Sequence, residues 1–340
     1  MITYSIGIIL ALSALYMTAG TGNAICLKSG KFNLGGEGQI YAGGFVCAII
    51  LDAFGKLGPA SAIGTTDVIG STGASSTSGI PAFFAITLAF LAAATVSTLL
   101  VLISTLLEKK RGASFLLTSF IVSSAIIPLV DGLIAGPFKG SGGNLIATNY
   151  IIDKYQFPFI IPSLSLSPYF FVGIILCIAG GLFIFRTSFG KEICIYGQAK
   201  EFALYTGLSE NSILYSATAA SGALNGITGA AAVMGTYFFC SPGFYSGIGW
   251  NALAVAMIAR LNPFFVIPSS IFLATLTTAA DQYALFHNFD FDISGLIQAL
   301  IIFAIAFPLV LPNAKNPLRS KISNHKKTAS FQLKSHGGKK

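Results

Sequence analysis

Residues 81–107 read PAFFAITLAFLAAATVSTLLVLISTLL, and Glu-Lys-Lys-Arg follows at once at 108–111. No charged side chain interrupts the run. It is longer than the ~18 apolar residues that mark a membrane-crossing helix. A chain inside lipid must satisfy its own backbone hydrogen bonds, which leaves helices or closed barrels. A barrel would show short alternating segments instead. The composition extends this reading to the whole chain. Its 340 residues are 54% hydrophobic and 9% charged, against about 25% charged in a soluble domain. Mean hydropathy is +0.77. The fold class is therefore all-α, a polytopic integral membrane protein.

Comparable runs predict helices at about 3–25, 33–54, 81–107, 113–136, 168–185, 212–235, 263–281 and 294–311. The apolar piece 249–260, GWNALAVAMIAR, is too short for an ordinary span. It reads as a broken or re-entrant helix, paired with 263–281 through a turn at Arg260-Leu261-Asn262-Pro263, because proline disfavours helix in the residue before it. The count is eight or nine transmembrane helices, depending on this piece. The start, MITYSIGIILALSALYMTAG, lacks a basic lead-in and reads as a first span, not a cleaved signal.

The net charge of +8 raises the question of nucleic acid. Its distribution points to topology instead. With nine crossings and the N-terminus outside, the inner side holds Lys28, Lys31, Lys109, Lys110, Arg111, Arg186, Lys191, Lys200, Arg260 and eight basic tail residues. Only Lys56, Lys139 and Lys154 fall outside. Cytoplasmic loops carry such an excess. The division expected is a transmembrane domain over 1–312 and a basic cytoplasmic tail over 313–340, close to anionic lipid. The multi-pass chain belongs in a bacterial cytoplasmic membrane with its C-terminus inside, and nucleic acid is not an expected partner.

Catalytic chemistry has no visible basis. The five cysteines form no C-x-x-C pair and the three histidines are scattered, so no metal is expected. No nucleophile elbow, HExxH or paired carboxylates occur, and the chain is not expected to be an enzyme. SFGKE at 188–192 lacks the glycine spacing and the hydroxyl of a Walker A loop. ATP, if used, would bind another chain, and no cofactor is expected in this one.

Polar and small residues inside the spans are the candidate functional positions. SGALNGITGAAAVMG at 221–235 places Gly222 and Gly226 four apart, with Gly229 close by, a spacing that lets helix backbones approach. Asn225 beside them must find a partner, as interhelical glue or as a pathway group. Asn251 in the short apolar piece joins this set of path or packing residues. So does KFNLGGEGQIYAGGF at 31–45, with Asn33, Gly35, Glu37, Gly38 and Gln39. Lys28 and Lys31 would mark the inner face, Asn33 would cap a helix start, and Glu37 would lie about one turn in, near the inner boundary, where the helix dipole favours a carboxylate. SGKFN at 29–33 and SGALN at 221–225 share Ser-Gly-x-x-Asn, either a faint repeat or chance.

The inner loop 186–211 mixes charges with apolar residues. Phe202, Leu204 and Tyr205 fall in one short helical piece bracketed by Gly197 and Gly207. Such a piece is either a plain connection or a docking element.

Here the residues reach a resemblance. The stretch from Arg186, Thr187 and Gly190 through Gly197, Ala203 and Gly207 to Ser221, Gly222, Gly226 and Gly229 resembles the signature of ABC importer permeases of the branched-chain amino acid, ribose and nucleoside family. Asn33, Gly35, Glu37, Gly38 and Gln39 resemble a second motif of that family. SPGFYSGIGWNALAVAMIARLNP at 241–263 resembles a third. The nearest branch is the nucleoside and simple-sugar permeases paired with basic-membrane-protein lipoproteins. Ala199 and Phe202 depart from the pattern. The resemblance implies a cytoplasmic ABC ATPase, a second, related permease subunit and an extracytoplasmic substrate-binding lipoprotein. It implies that Arg186, Gly190, Gly197, Phe202, Ala203, Leu204, Tyr205 and Gly207 belong to the ATPase-coupling loop. The alternative is an ion- or proton-coupled secondary transporter, which would need an intramembrane carboxylate such as Glu37.

Overall fold

The structure is a computed structural model that describes residues 2–56, 82–140, 145–161, 166–245, 247–287, and 295, 296, 299, 300 and 303. The expected helix 294–311, the glycine- and serine-rich stretch 57–80 and the basic tail lie largely or wholly outside these residues. The chain divides into a unit Met1–Gln298 and a unit Ala299–Lys340. The first unit holds every helix named here.

Its helices are α1 (Ile2–Lys28), α2 (Gly36–Lys56), α3 (Ala82–Arg111), α4 (Phe115–Ala135), α5 (Tyr169–Arg186), α6 (Ser188–Gln198), α7 (Lys200–Tyr205), α8 (Glu210–Ala232), α9 (Ile248–Ile258) and α10 (Pro263–Phe286). Six of them, α1 to α5 and α10, are long and apolar enough to cross a membrane. The eight or nine expected crossings are therefore not all matched by such helices among the described residues. The difference lies in α8, in α9 and in the expected helix 294–311, which falls largely outside those residues.

α8 is long but polar and small-residued, and it runs on into a π-helical turn at Val233–Tyr237. It packs against α1, α2 and α3. A helix surrounded by helices faces little lipid and need not be apolar all round. α3, α4 and α5 show the opposite case. Their apolar windows are only 22–28% buried inside the protein, so most of each surface is left for lipid.

Packing sorts the helices into two groups. One is α2, α3, α4 and α8; the other is α1, α5, α9 and α10. They meet along α1 with α8 and along α2 with α9.

The charges sort by end. Lys31 pairs with Glu108, Lys109 with Asn211 and Lys200 with Glu210, while Lys28 lies over the Phe185 ring. These contacts bring the ends of α1, α3 and α5 together with the starts of α7 and α8. At the other end, Asp52 holds Lys56 and Asn149.

Candidate translocation site

α1 stops at a glycine. Gly30 has φ +79°, its N–H bonds to Leu27 C=O, and the Lys31 N–H reaches back to Cys26 C=O. This pair closes the helix end. The chain then runs inward without helical hydrogen bonds until α2 begins at Gly36. Asn33 does not cap that helix, contrary to the sequence reading. Its Oδ1 accepts from Gly35 N and from Gln39 Nε2, while its Nδ2 donates to Gln39 Oε1 and Ser221 Oγ. The side chain is committed to a buried network, so the free N–H groups at the helix start find others. Leu34 N–H bonds to Ser119 Oγ and Gly38 N–H to Ser123 Oγ, both on α4.

The network crosses four segments. Asn225 Nδ2 donates to Gln39 Oε1 at 2.8 Å, Ser97 Oγ donates to Gln39 C=O at 2.7 Å, and Ser221 Oγ donates to Asn23 Oδ1. Every one of these side chains is buried. SGKFN and SGALN thus touch through Asn33 and Ser221. Their backbones differ, one a turn and extended strap, the other mid-helix.

Glu37 reaches the start of a second helix. Its Oε1 accepts from Gly247 N–H at 2.9 Å, and the Trp250 N–H also reaches the carboxylate. Gly247 is the cap residue of α9 and has no side chain to serve that role. The carboxylate of α2 therefore caps α9 across the group boundary. Gly249 lies against Glu37, since a Cβ there would fall 2.6 Å from Glu37 N. Ile258 is nine residues further along α9, which at ~1.5 Å per residue is about 13 Å. The Arg260 turn follows. Glu37 thus lies well along α9 from the Arg260 turn, and the strap 29–35 separates it from the end of α1.

The short piece near 249–260 is α9, only 11 residues long. Among the described residues its lead-in carries Phe244 and Tyr245 onto Tyr41 of α2, with ring centroids 5.6 and 4.5 Å away. Tyr41 OH donates to Asp131 of α4 at 2.5 Å. Asn251 Nδ2 donates to Tyr16 OH at 2.9 Å. Arg260 and Leu261 turn the chain with φ +50° and +61°. Asn262 then caps α10 by accepting from Phe264 N–H.

The glycines of α8 make backbone contacts. A Cβ on Gly222 would meet Val101 and Ser97 of α3, one on Gly226 would strike Ala93 C=O, and one on Gly229 would strike Ile40 C=O and Gly44 N of α2. A Cβ on Gly38 of α2 would strike Ser123, and one on Gly35, just before α2, would strike Ser119 C=O.

The 186–211 loop folds as α6 and α7. Thr187 caps α6 by accepting from Gly190 N–H. Gly190 lies on Phe183 and Ile184 of α5, and Gly197 on Lys28 C=O of α1. Gly197 is thus inside α6; the break before α7 falls at Ala199, with φ −147° and ψ 77°. Gly207 ends α7 at φ +84°, with Gly207 N–H on Leu204 C=O and Leu208 N–H on Ala203 C=O. Ala203 is buried with Ile25, Ile184, Ile193, Tyr196 and Ile213. Phe202, Leu204 and Tyr205 are 58%, 42% and 91% exposed. Arg186 is exposed at the end of α5. Burial pushes the Tyr196 phenol up to about 12, helped by its hydrogen bond to Glu210. That same carboxylate raises the Lys200 ammonium above its ordinary value.

The family described as branched-chain amino acid transport system / permease component matches residues 5–306. The chain belongs to that family. This permease is 30% identical over 299 residues to the probable riboflavin import permease of Treponema pallidum, covering 86% of this chain and 72% of that one. It is 23% identical over 294 residues to the glucose ABC transporter permease of Haloferax volcanii, covering 84% and 71%. It is 22% identical over 330 residues to the guanosine ABC transporter permease of Bacillus subtilis, covering 91% and 83%. No solved structure matches it. Family and apolar helices together make it a multi-pass membrane protein. Ser97, Ser119, Ser123, Tyr41 and Asp131 joined the site only in the structure. Their signal in the sequence, hydroxyls and one acid inside apolar runs, was present but pointed to no partner.

Proposed function

We propose that this permease is the membrane subunit of an ATP-driven importer, passing a nucleoside or simple sugar delivered by an extracytoplasmic binding lipoprotein. The observation that carries this reading is α7. It offers Phe202, Leu204 and Tyr205 outward from a base anchored by buried Ala203. An apolar face at a charged end suits a soluble partner, and a cytoplasmic ABC ATPase is that partner. The basic end then faces the cytoplasm, the C-terminus lies there too, and a second, related permease completes the assembly. The chain itself carries out no covalent step. The riboflavin relative widens the solute class, since riboflavin and nucleosides both join a flat heterocycle to a hydroxylated, sugar-derived group.

The test is reconstitution of the permease with its neighbouring ATPase and lipoprotein in liposomes, followed by uptake of labelled guanosine, riboflavin and glucose. ATP-dependent uptake of one of them is expected. Uptake driven by an imposed proton gradient without ATP would favour the secondary-transporter reading, for which the half-buried Glu37 carboxylate between α2 and α9 is the supporting observation.

A further inference from the structure

We propose that the seam between α2 and α9 is the joint that opens during transport, and that Glu37 is the positioning residue that latches it. The proposal rests on the importer reading.

Four features meet at this seam. First, it separates the two packing groups. Their other junction is the more extensive one: α1 runs along α8, and Ser221 is tied to Asn23. The α1–α8 junction has the character of a pivot, and the α2–α9 junction that of an edge.

Second, α9 is a short rigid piece between two left-handed turns. Gly243 and Gly247 have φ +83° and +79° on one side, and Arg260 and Leu261 are left-handed on the other. Left-handed backbone at two successive non-glycine residues is costly and persists only when its surroundings hold it. Hinges are positions that absorb such dihedral changes.

Third, the α2 side of the seam is interlocked by several amides and serines, whereas α9 is held to it by few groups. Glu37 supplies its hydrogen bonds, and Tyr41 its ring contacts with Phe244 and Tyr245. Removing one carboxylate therefore frees the first turn of α9 from α2, while Asn251 still holds Tyr16 of α1.

Fourth, the buried Asn251 Oδ1, one turn into α9, has no hydrogen-bond partner in this arrangement. A buried acceptor left unsatisfied costs about 1–3 kcal/mol. A second arrangement of α9 that satisfies it is one way to offset that cost.

Trp250, the single tryptophan of the chain, lies in the first turn of α9 and reports on the latch directly. Acrylamide quenching of its fluorescence is measured in the full chain in lipid nanodiscs. The quenching constant at least doubles in Glu37→Ala, rises less in Glu37→Gln, which keeps an acceptor oxygen, and is smallest among the variants in Glu37→Asp. Equal quenching in wild type, Glu37→Ala and Glu37→Gln overturns the latch, and Glu37→Gln decides alone where the alanine variant aggregates.

In the assembled transporter, the same signal is taken as the difference from a Trp250→Phe assembly. ATP raises quenching in the wild type, adds less in Glu37→Gln and adds nothing in Glu37→Ala. ATP-driven uptake with unchanged Trp250 quenching overturns the moving joint and leaves the importer reading standing. Failure of uptake by the wild type strikes the importer reading, while the nanodisc comparison still decides the latch.

Discussion

Asn225 of α8 donates to Gln39 of α2 at 2.8 Å, with both side chains inside the protein. Gln39 also holds Asn33 in both directions and receives Ser97 at its carbonyl. Asn225→Ala leaves Gln39 Oε1 with Asn33 alone. Interhelical hydrogen bonds in membranes are worth about 0.6 kcal/mol on average and up to ~1.7. Gln39→Ala strands the Asn225 amide, takes two bonds from Asn33, and costs more. Thermal unfolding in detergent micelles should rank wild type above Asn225→Ala above Gln39→Ala; a reversed order would mean the network is not centred on Gln39.

The glycines separate into two kinds. A methyl at Gly229 runs into the backbone of Ile40 and Gly44, whereas one at Gly132 meets nothing within 4 Å. Gly229→Ala should cost about 1–3 kcal/mol, as overpacking does, and lower the yield of monodisperse protein. Gly132→Ala should leave it unchanged or slightly raised. Size-exclusion profiles of the two variants check this.

On α7, neighbouring positions should respond differently. Tyr205→Asp places a carboxylate in water and leaves the chain folded, but removes the face offered to a partner. Ala203→Asp buries the same group among Ile193, Tyr196 and Ile213, and a buried unpaired carboxylate is strongly unfavourable. Co-purification with the ATPase should be lost in both, while protease resistance of the 186–211 region should be lost only in Ala203→Asp.

Two ion pairs at the basic end differ in setting. Lys200 and Glu210 are 55% and 36% exposed; Lys31 and Glu108 are 19% and 24%. An exposed pair contributes about 0.2–1 kcal/mol. Lys31→Ala leaves Glu108 poorly solvated, with its Oε2 already lacking a partner. It should therefore lower the melting temperature more than Lys200→Ala. The double variant Lys31→Ala/Glu108→Ala should recover part of that loss.

Sidedness is open to direct measurement. Single cysteines at Lys109 and Lys154, in a background with the native cysteines replaced, should react with an impermeant maleimide from opposite faces of sealed vesicles, Lys109 from the cytoplasmic face. Labelling of both from one face would contradict the crossing pattern.

The long spans were legible because lipid imposes apolar length, and α3 ends at the charges that the sequence placed there. α7 was legible from three apolar residues in a polar loop. The start of α2 was not, whereas α9, expected from 249, begins at Ile248. Hydropathy reads residue type over a window, and the strap at 29–35 is set by Gly30 and by the commitment of Asn33 to Gln39 and Ser221. The Ala199 break was missed for a similar reason, since glycine at 197 suggested flexibility where the structure uses it for contact with α1.

The shared anchorage of α2 and α9 has an electrostatic consequence. Each helix start carries about half a positive charge, so the two together amount to roughly one. The Glu37 carboxylate, one negative charge, lies between them and cancels it. The ionised carboxylate thus balances the two helix starts locally while they stay together. Separating them breaks that neutrality, so the charge balance itself favours the closed arrangement.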